Sequence, residues 1–117
     1  LTLAQDTSTI TACGNDYSFD DIFLRSFQAL VKKNDVLICI STSGNSKNIL
    51  KVLKEAKKKN IFSVCFLGKG GGKAKKISNK SLIIASNNTA RIQECHIFLG
   101  HFILENVEEL IISKKIK

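Results

Sequence analysis

Four hydroxyl side chains, Ser41, Thr42, Ser43 and Ser46, crowd around Gly44 in the run ISTSGNSK at 40–47. Each hydroxyl donates one hydrogen bond, and a glycine lets the backbone approach a bound group closely. The run joins the end of an apolar stretch to the start of a helical pattern, so the unpaired amides and positive dipole end of that helix face the loop. That combination predicts a site for a phosphate monoester. The plain alternative is a serine-rich turn in which Ser46 only caps the helix.

Other chemistry-bearing residues are less specific by themselves. Histidine is the side-chain type best suited to proton exchange under physiological conditions, which makes His101 a candidate, although a histidine in a long amphipathic helix is more often structural. Gln93 alone implies only a hydrogen-bonding side chain, and Asn15 with Asp16 alone reads as a turn. The glycines at 68–72 (GKGGG) follow an apolar run directly, but their spacing matches neither G-x-x-x-x-G-K-[ST] nor G-x-G-x-x-G. A flexible loop end is the expectation there.

The elements that must carry these residues alternate. Apolar runs at 36–40 (VLICI), 61–67 (IFSVCFL) and 81–85 (SLIIA) read as strands, with a weaker one at 1–4. They are continuous rather than alternating, which predicts a parallel sheet covered by helices on both faces, an α/β fold. A first helix is expected over 19–31, with Ser18 as its cap and Ile22, Phe23, Phe27 and Leu30 inward. A second follows Ser46, with Ile49, Leu50, Leu53 and Ala56 opposite Lys47, Lys51, Lys54 and Lys58. The last is expected over 89–112, capped by Asn88 or Thr89, with Ile92, Leu99, Ile103, Val107 and Leu110 on its apolar side. Its length suits packing against more than its own sheet. No repeat or linker interrupts the 117 residues, so one domain is expected over 1–117.

Composition narrows the class. Hydrophobic residues make up 44% and charged residues 24%, as in packed globular proteins rather than disordered chains. The formal charge is +8, from sixteen lysines and two arginines, concentrated at 51–59, 69–80 and 114–117. The lysines alternate with aliphatic residues at helical spacing, and one tyrosine and no tryptophan supply no stacking platform. Solvated helix faces are expected, and no nucleic acid partner. No apolar run is long enough for a membrane span and no secretory layout opens the chain, so no membrane association and a cytoplasmic location are expected. Cys13, Cys39, Cys65 and Cys95 are widely spaced, which predicts buried reduced thiols. The chain lacks methionine and starts at Leu1. The expectation is that a fragment, a truncated gene or a processed product has left the amino-terminal end out.

Three motifs in order, GNDY at 14–17, ISTSGNS at 40–46, and TARIQE at 89–94 followed by His96 and His101, resemble the SIS domain of bacterial phosphoheptose isomerases. The resemblance covers essentially the whole chain. It implies conversion of sedoheptulose 7-phosphate to D-glycero-D-manno-heptose 7-phosphate, the entry to heptose for lipopolysaccharide or capsule. It also implies a doubly wound five-stranded parallel sheet between helices, and a homotetramer with sites at subunit interfaces. By the same resemblance Ser41, Thr42, Ser43 and Ser46 hold phosphate, Asn15 and Asp16 contact the sugar, and Gln93 and His101 complete the catalytic site. In zinc-bearing members Gln93 and His101 ligate the metal.

The resemblance further implies an amino-terminal Asn-Gly-Gly-Ser loop, a histidine and a base glutamate on the following helix, and a central strand. Nothing in residues 1–117 matches these, so the expected fold lacks the amino-terminal helices and one central strand, and the chain alone is expected to be inactive. Two other readings share the motifs: a SIS module that binds a sugar phosphate without turnover, and a relative that binds the bacterial replication initiator.

Overall fold

The computed structural model describes residues 1–4 and 6–113. Its order is α1 (Thr7–Asp16), a 3-10 turn (Phe19–Asp21), α2 (Ile22–Leu30), β1 (Val36–Ser41), α3 (Lys47–Lys58), β2 (Phe62–Leu67), β3 (Lys80–Ile83) and α4 (Thr89–Ile112). The three strands form one parallel sheet in the order β1-β2-β3, with Ser41 beside Leu67 at the carboxyl end of the first pair. The fold is α/β, a parallel sheet flanked by helices. The basic tail at 114–117 lies outside the described residues.

Residues 1–4 do not form the expected strand. Asp6 accepts from the amides of Ser8 and Thr9, and this cap starts a helix instead. Helix α1 buries only Cys13, so it has no apolar stripe for periodicity to reveal. The next helix is shorter than expected: Ser18 bonds Asp21 through its hydroxyl at 2.6 Å, and α2 proper starts at Ile22. Ile22 and Phe27 are buried as expected, whereas Leu30 is exposed.

The principal core lies between α2, α3 and one face of the sheet. Phe27, Leu37, Cys39, Val52, Leu53, Ala56, Cys65, Leu67 and Ala74 form it, with Ile49 and Leu50 at its edge. Lysines occupy the outer side of α3, where Lys51 Nζ reaches Asp21 Oδ1 at 2.7 Å. The register partners Cys39 and Cys65 are buried together. Their mutual hydrogen bond, and then burial, push the Cys39 thiol far above its usual range. Cys13 is also buried and unpaired; Cys95, expected inside, is exposed on α4.

Among the described residues the second face of the sheet is met by the beginning of α4, where His96 lies 6.0 Å from the Phe66 ring. Successive strand residues point to opposite faces, and the continuous run of β1 therefore alternates in burial. Val36, Ile38 and Ile40 are 57%, 53% and 57% exposed. Beyond Ile92 and His96, α4 buries no residue: Leu99 and Ile103 are half-buried, and Val107 and Leu110, expected inward, are exposed. The projecting helix contributes to a radius of gyration of 15.0 Å, above the roughly 13 Å of a compact chain this long.

A protein consisting of residues 1–117 is therefore expected to self-associate through this apolar face and the edge strand β1. Sedimentation velocity should give a species larger than the monomer, and Ile38→Lys should shift it towards monomer. A monomeric parent with a cooperative melt would contradict this.

Candidate functional site

Strand β1 delivers the serine loop. Ser41, its last residue, is 8% exposed, and its Oγ accepts the Gly44 amide at 3.1 Å. Ser43 Oγ accepts the Asn45 amide at 3.2 Å. Both hydroxyls thus shape the turn through their lone pairs and keep their own protons for donation. Gly44 has φ +64, a left-handed conformation that glycine adopts without a Cβ clash.

Ser46 occupies the N-cap position of α3 with extended backbone, yet its side chain makes no capping hydrogen bond. Its Oγ lies only 3.5 Å from Ser41 Oγ, at the limit of a hydrogen bond. The simple capping role is therefore not what this serine does. The first-turn amide of Ile49 is taken by Asn48 Oδ1 at 2.8 Å. The Lys47 and Asn48 amides have no protein acceptor among the described residues, as the geometry of a helix start dictates. Hydroxyls, open amides and the positive end of α3 converge at the carboxyl end of a parallel strand, the usual ligand position in such sheets. Asn48, buried in that first turn, was not legible as a site residue.

The glycine-rich segment is not a loose loop end. Lys69, Gly70, Gly71 and Gly72 all have positive φ, and Gly72 packs on the Ser43 and Gly44 carbonyls. Ala74 donates its amide to Gly44 O at 2.9 Å, and Lys73 donates its amide to Asn45 Oδ1 at 3.1 Å. This turn is a wall of the serine loop. The expectation of a flexible loop end is thus corrected: contacts spanning 28 residues or more in sequence, which no local pattern shows, dock the turn.

Helix α4 is pinned to the same strand ends. Ile92 fills the space over Gly68, where a Cβ would collide with it, and a His96 ring nitrogen, Nε2, lies 3.1 Å from Leu67 O. Leu67 O also accepts the Ile84 amide, and an acceptor can be shared only with donors, so Nε2 carries the proton. His96 is 3% exposed, and its Nδ1 has no hydrogen-bond partner among the described residues. It anchors α4.

Gln93 and His101 are exposed on α4, and His101 borders a shallow groove with Leu104, Glu105 and Glu108. No hydrogen bond ties either residue to the serine loop among the described residues. Eight helical residues separate them by about 12 Å along the axis. Zinc takes three or four protein ligands, and among the described residues no three His, Cys, Asp or Glu side chains cluster. The pair alone does not make a zinc site. Asn15 and Asp16 end α1; Asn15 Nδ2 donates to Asp16 Oδ1 at 2.9 Å, and neither bonds the loop among the described residues.

Among the described residues no helix is long and apolar enough to cross a membrane. Residues 1–68 match the SIS domain family. The phosphoheptose isomerase of Campylobacter concisus is 49% identical over 109 residues, covering 93% of this chain and 58% of that protein. That of Aquifex aeolicus is 46% identical over 114 residues, covering 97% and 60%. Among solved structures, the phosphoheptose isomerase of Neisseria gonorrhoeae superposes with a TM-score of 0.89 at 39% identity, over 92% of this chain and 61% of that one. That of Francisella tularensis gives 0.86 at 36% identity, over 90% and 56%. The chain thus spans about three fifths of the length of these relatives.

Proposed function

The chain belongs to the SIS domain family, and from that membership we propose that it forms the sugar-phosphate-holding part of a phosphoheptose isomerase. The observation that carries this reading is the Ser46 hydroxyl, which caps no helix amide, beside the open amides at the start of α3. The relatives' names supply the substrate class.

Isomerisation of sedoheptulose 7-phosphate to D-glycero-D-manno-heptose 7-phosphate takes a proton from C1 and gives one to O2, forming an enediol. O1 then loses a proton and C2 receives one. The serine loop anchors the phosphate, Asn15 and Asp16 contact the sugar chain, and Gln93 positions it. His101 exchanges protons at the oxygens. The base at carbon is assigned to the glutamate that the family resemblance implies, which has no match in residues 1–117. In the same reading the enzyme is a cytoplasmic homotetramer supplying heptose for lipopolysaccharide or capsule. A zinc ion on Gln93 and His101 would need further donors from elsewhere.

Ser43→Ala removes a hydroxyl that would donate to a charged phosphate. Sugar-phosphate affinity should fall by about 1 to 3 kcal/mol in calorimetric titration. Affinity for the sugar without phosphate should not change. Equal weakening towards both would move the phosphate away from this loop. Full binding without turnover, in a protein joined to a relative's amino-terminal half, would favour the non-catalytic module; capture of the replication initiator would favour the assembly factor.

A further inference from the structure

Asn45 sits on the rim of the serine loop and is exposed, yet both ends of its side-chain amide are committed. Nδ2 donates to Ser43 O at 3.2 Å, and Oδ1 accepts the Lys73 amide at 3.1 Å. Alongside, Ala74 donates its amide to Gly44 O at 2.9 Å. An exposed asparagine is free to bond water, so holding both ends in protein bonds restricts a mobile side chain. Together the Asn45 and Ala74 bonds fix two things. The glycine turn is held across the serine loop. The Ser43 and Gly44 carbonyl oxygens, which would repel an anion, are each occupied by a donor.

We propose that Asn45 is a positioning residue for anion binding, fastening the 68–74 turn to the 41–46 loop so that the loop's donors stand ready before the phosphate arrives. This rests on the reading of 41–46 as the phosphate site. Preorganisation of this kind raises affinity by removing the ordering that binding would otherwise require. The position needs an amide: an acceptor alone leaves Ser43 O open, and a donor alone releases the Lys73 amide.

The test uses inorganic phosphate titrated into the chain, followed by amide NMR, with hydrogen exchange and melting measured in parallel. Asn45→Ala should weaken phosphate binding by about tenfold, the worth of one or two hydrogen bonds. The Lys73 amide should exchange faster while the melting temperature stays nearly constant. A second variant cuts the link from its other side. Lys73 has φ −72, a value proline adopts, so Lys73→Pro removes the amide donor with little backbone change. It should bind phosphate several-fold more weakly than Lys73→Ala, which controls for the lost charge. Unchanged affinity in Asn45→Ala despite a released Lys73 amide overturns the proposal, as does equal affinity of the two Lys73 variants. A loss that merely follows unfolding also overturns it. A parent chain that binds no phosphate rejects the site itself, an outcome distinct from a binding parent with indifferent variants.

Discussion

Replacing His101 by glutamine, in a protein whose amino-terminal half is restored from a complete relative, should lower kcat by about 10² to 10⁴-fold. KM should change little, because the serine loop still anchors the phosphate. His101 is exposed on α4 and outside the core, so melting should be unaffected. His96, five residues earlier, gives the contrast. It lies on a different face of the helix, about 140° away, buried against Phe66 and bonded to Leu67 O. His96→Gln should therefore lower the melting temperature through the anchoring of α4, rather than the chemistry of folded enzyme. Full turnover in His101→Gln, with loss of kcat in stably folded His96→Gln, would reverse the two assignments.

The second large effect is structural. At Gly44 an added Cβ would fall on the Gly71 carbonyl oxygen, and φ is +64. Backbone stands on both sides of that contact, so neither side yields by a rotamer change. Gly44→Ala should cost about 3 kcal/mol or more, combining left-handed strain of about 1 to 2 kcal/mol with the displaced turn. That is a large share of the stability of an ordinary domain. Gly70 isolates the first component. Its φ is +78, but an added Cβ there meets nothing within 4 Å, so Gly70→Ala should cost only about 1 kcal/mol. Denaturant titration compares them. Equal costs would mean that the two turns are not in contact in solution.

How much of this was legible depended on whether the signal was local. The bounds of α4, Thr89–Ile112, follow from the Asn88 cap and a long helical period, and match expectation. Strand β1 and helix α3 follow from an apolar run and an amphipathic lysine pattern meeting at a serine. Helix α1 was missed because its threonine-rich sequence has weak helix propensity and only Cys13 is buried. The apolar stripe of α4 was legible, but periodicity says which side is apolar and not what covers it. For the same reason β1 read as buried on both faces. At the site, the serine loop was visible as residue types at a spacing, whereas Asn45 and the glycine turn emerged only through contacts spanning 28 residues. Taken alone, Asn15 and Asp16 read as a turn, but a cap nine residues before Asn15, at Asp6, makes them the end of a helix.

The most direct test of the phosphate assignment is an amide NMR titration of the chain with sedoheptulose 7-phosphate, alongside sedoheptulose. The phosphorylated sugar should shift the amides of residues 42–48 and of 70–74 saturably, most strongly at Lys47 and Asn48, whose N–H groups have no protein acceptor among the described residues. The unphosphorylated sugar should leave them in place. Saturable shifts from the sugar phosphate that avoid 42–48, or identical shifts from both sugars, would contradict a phosphate site at this loop.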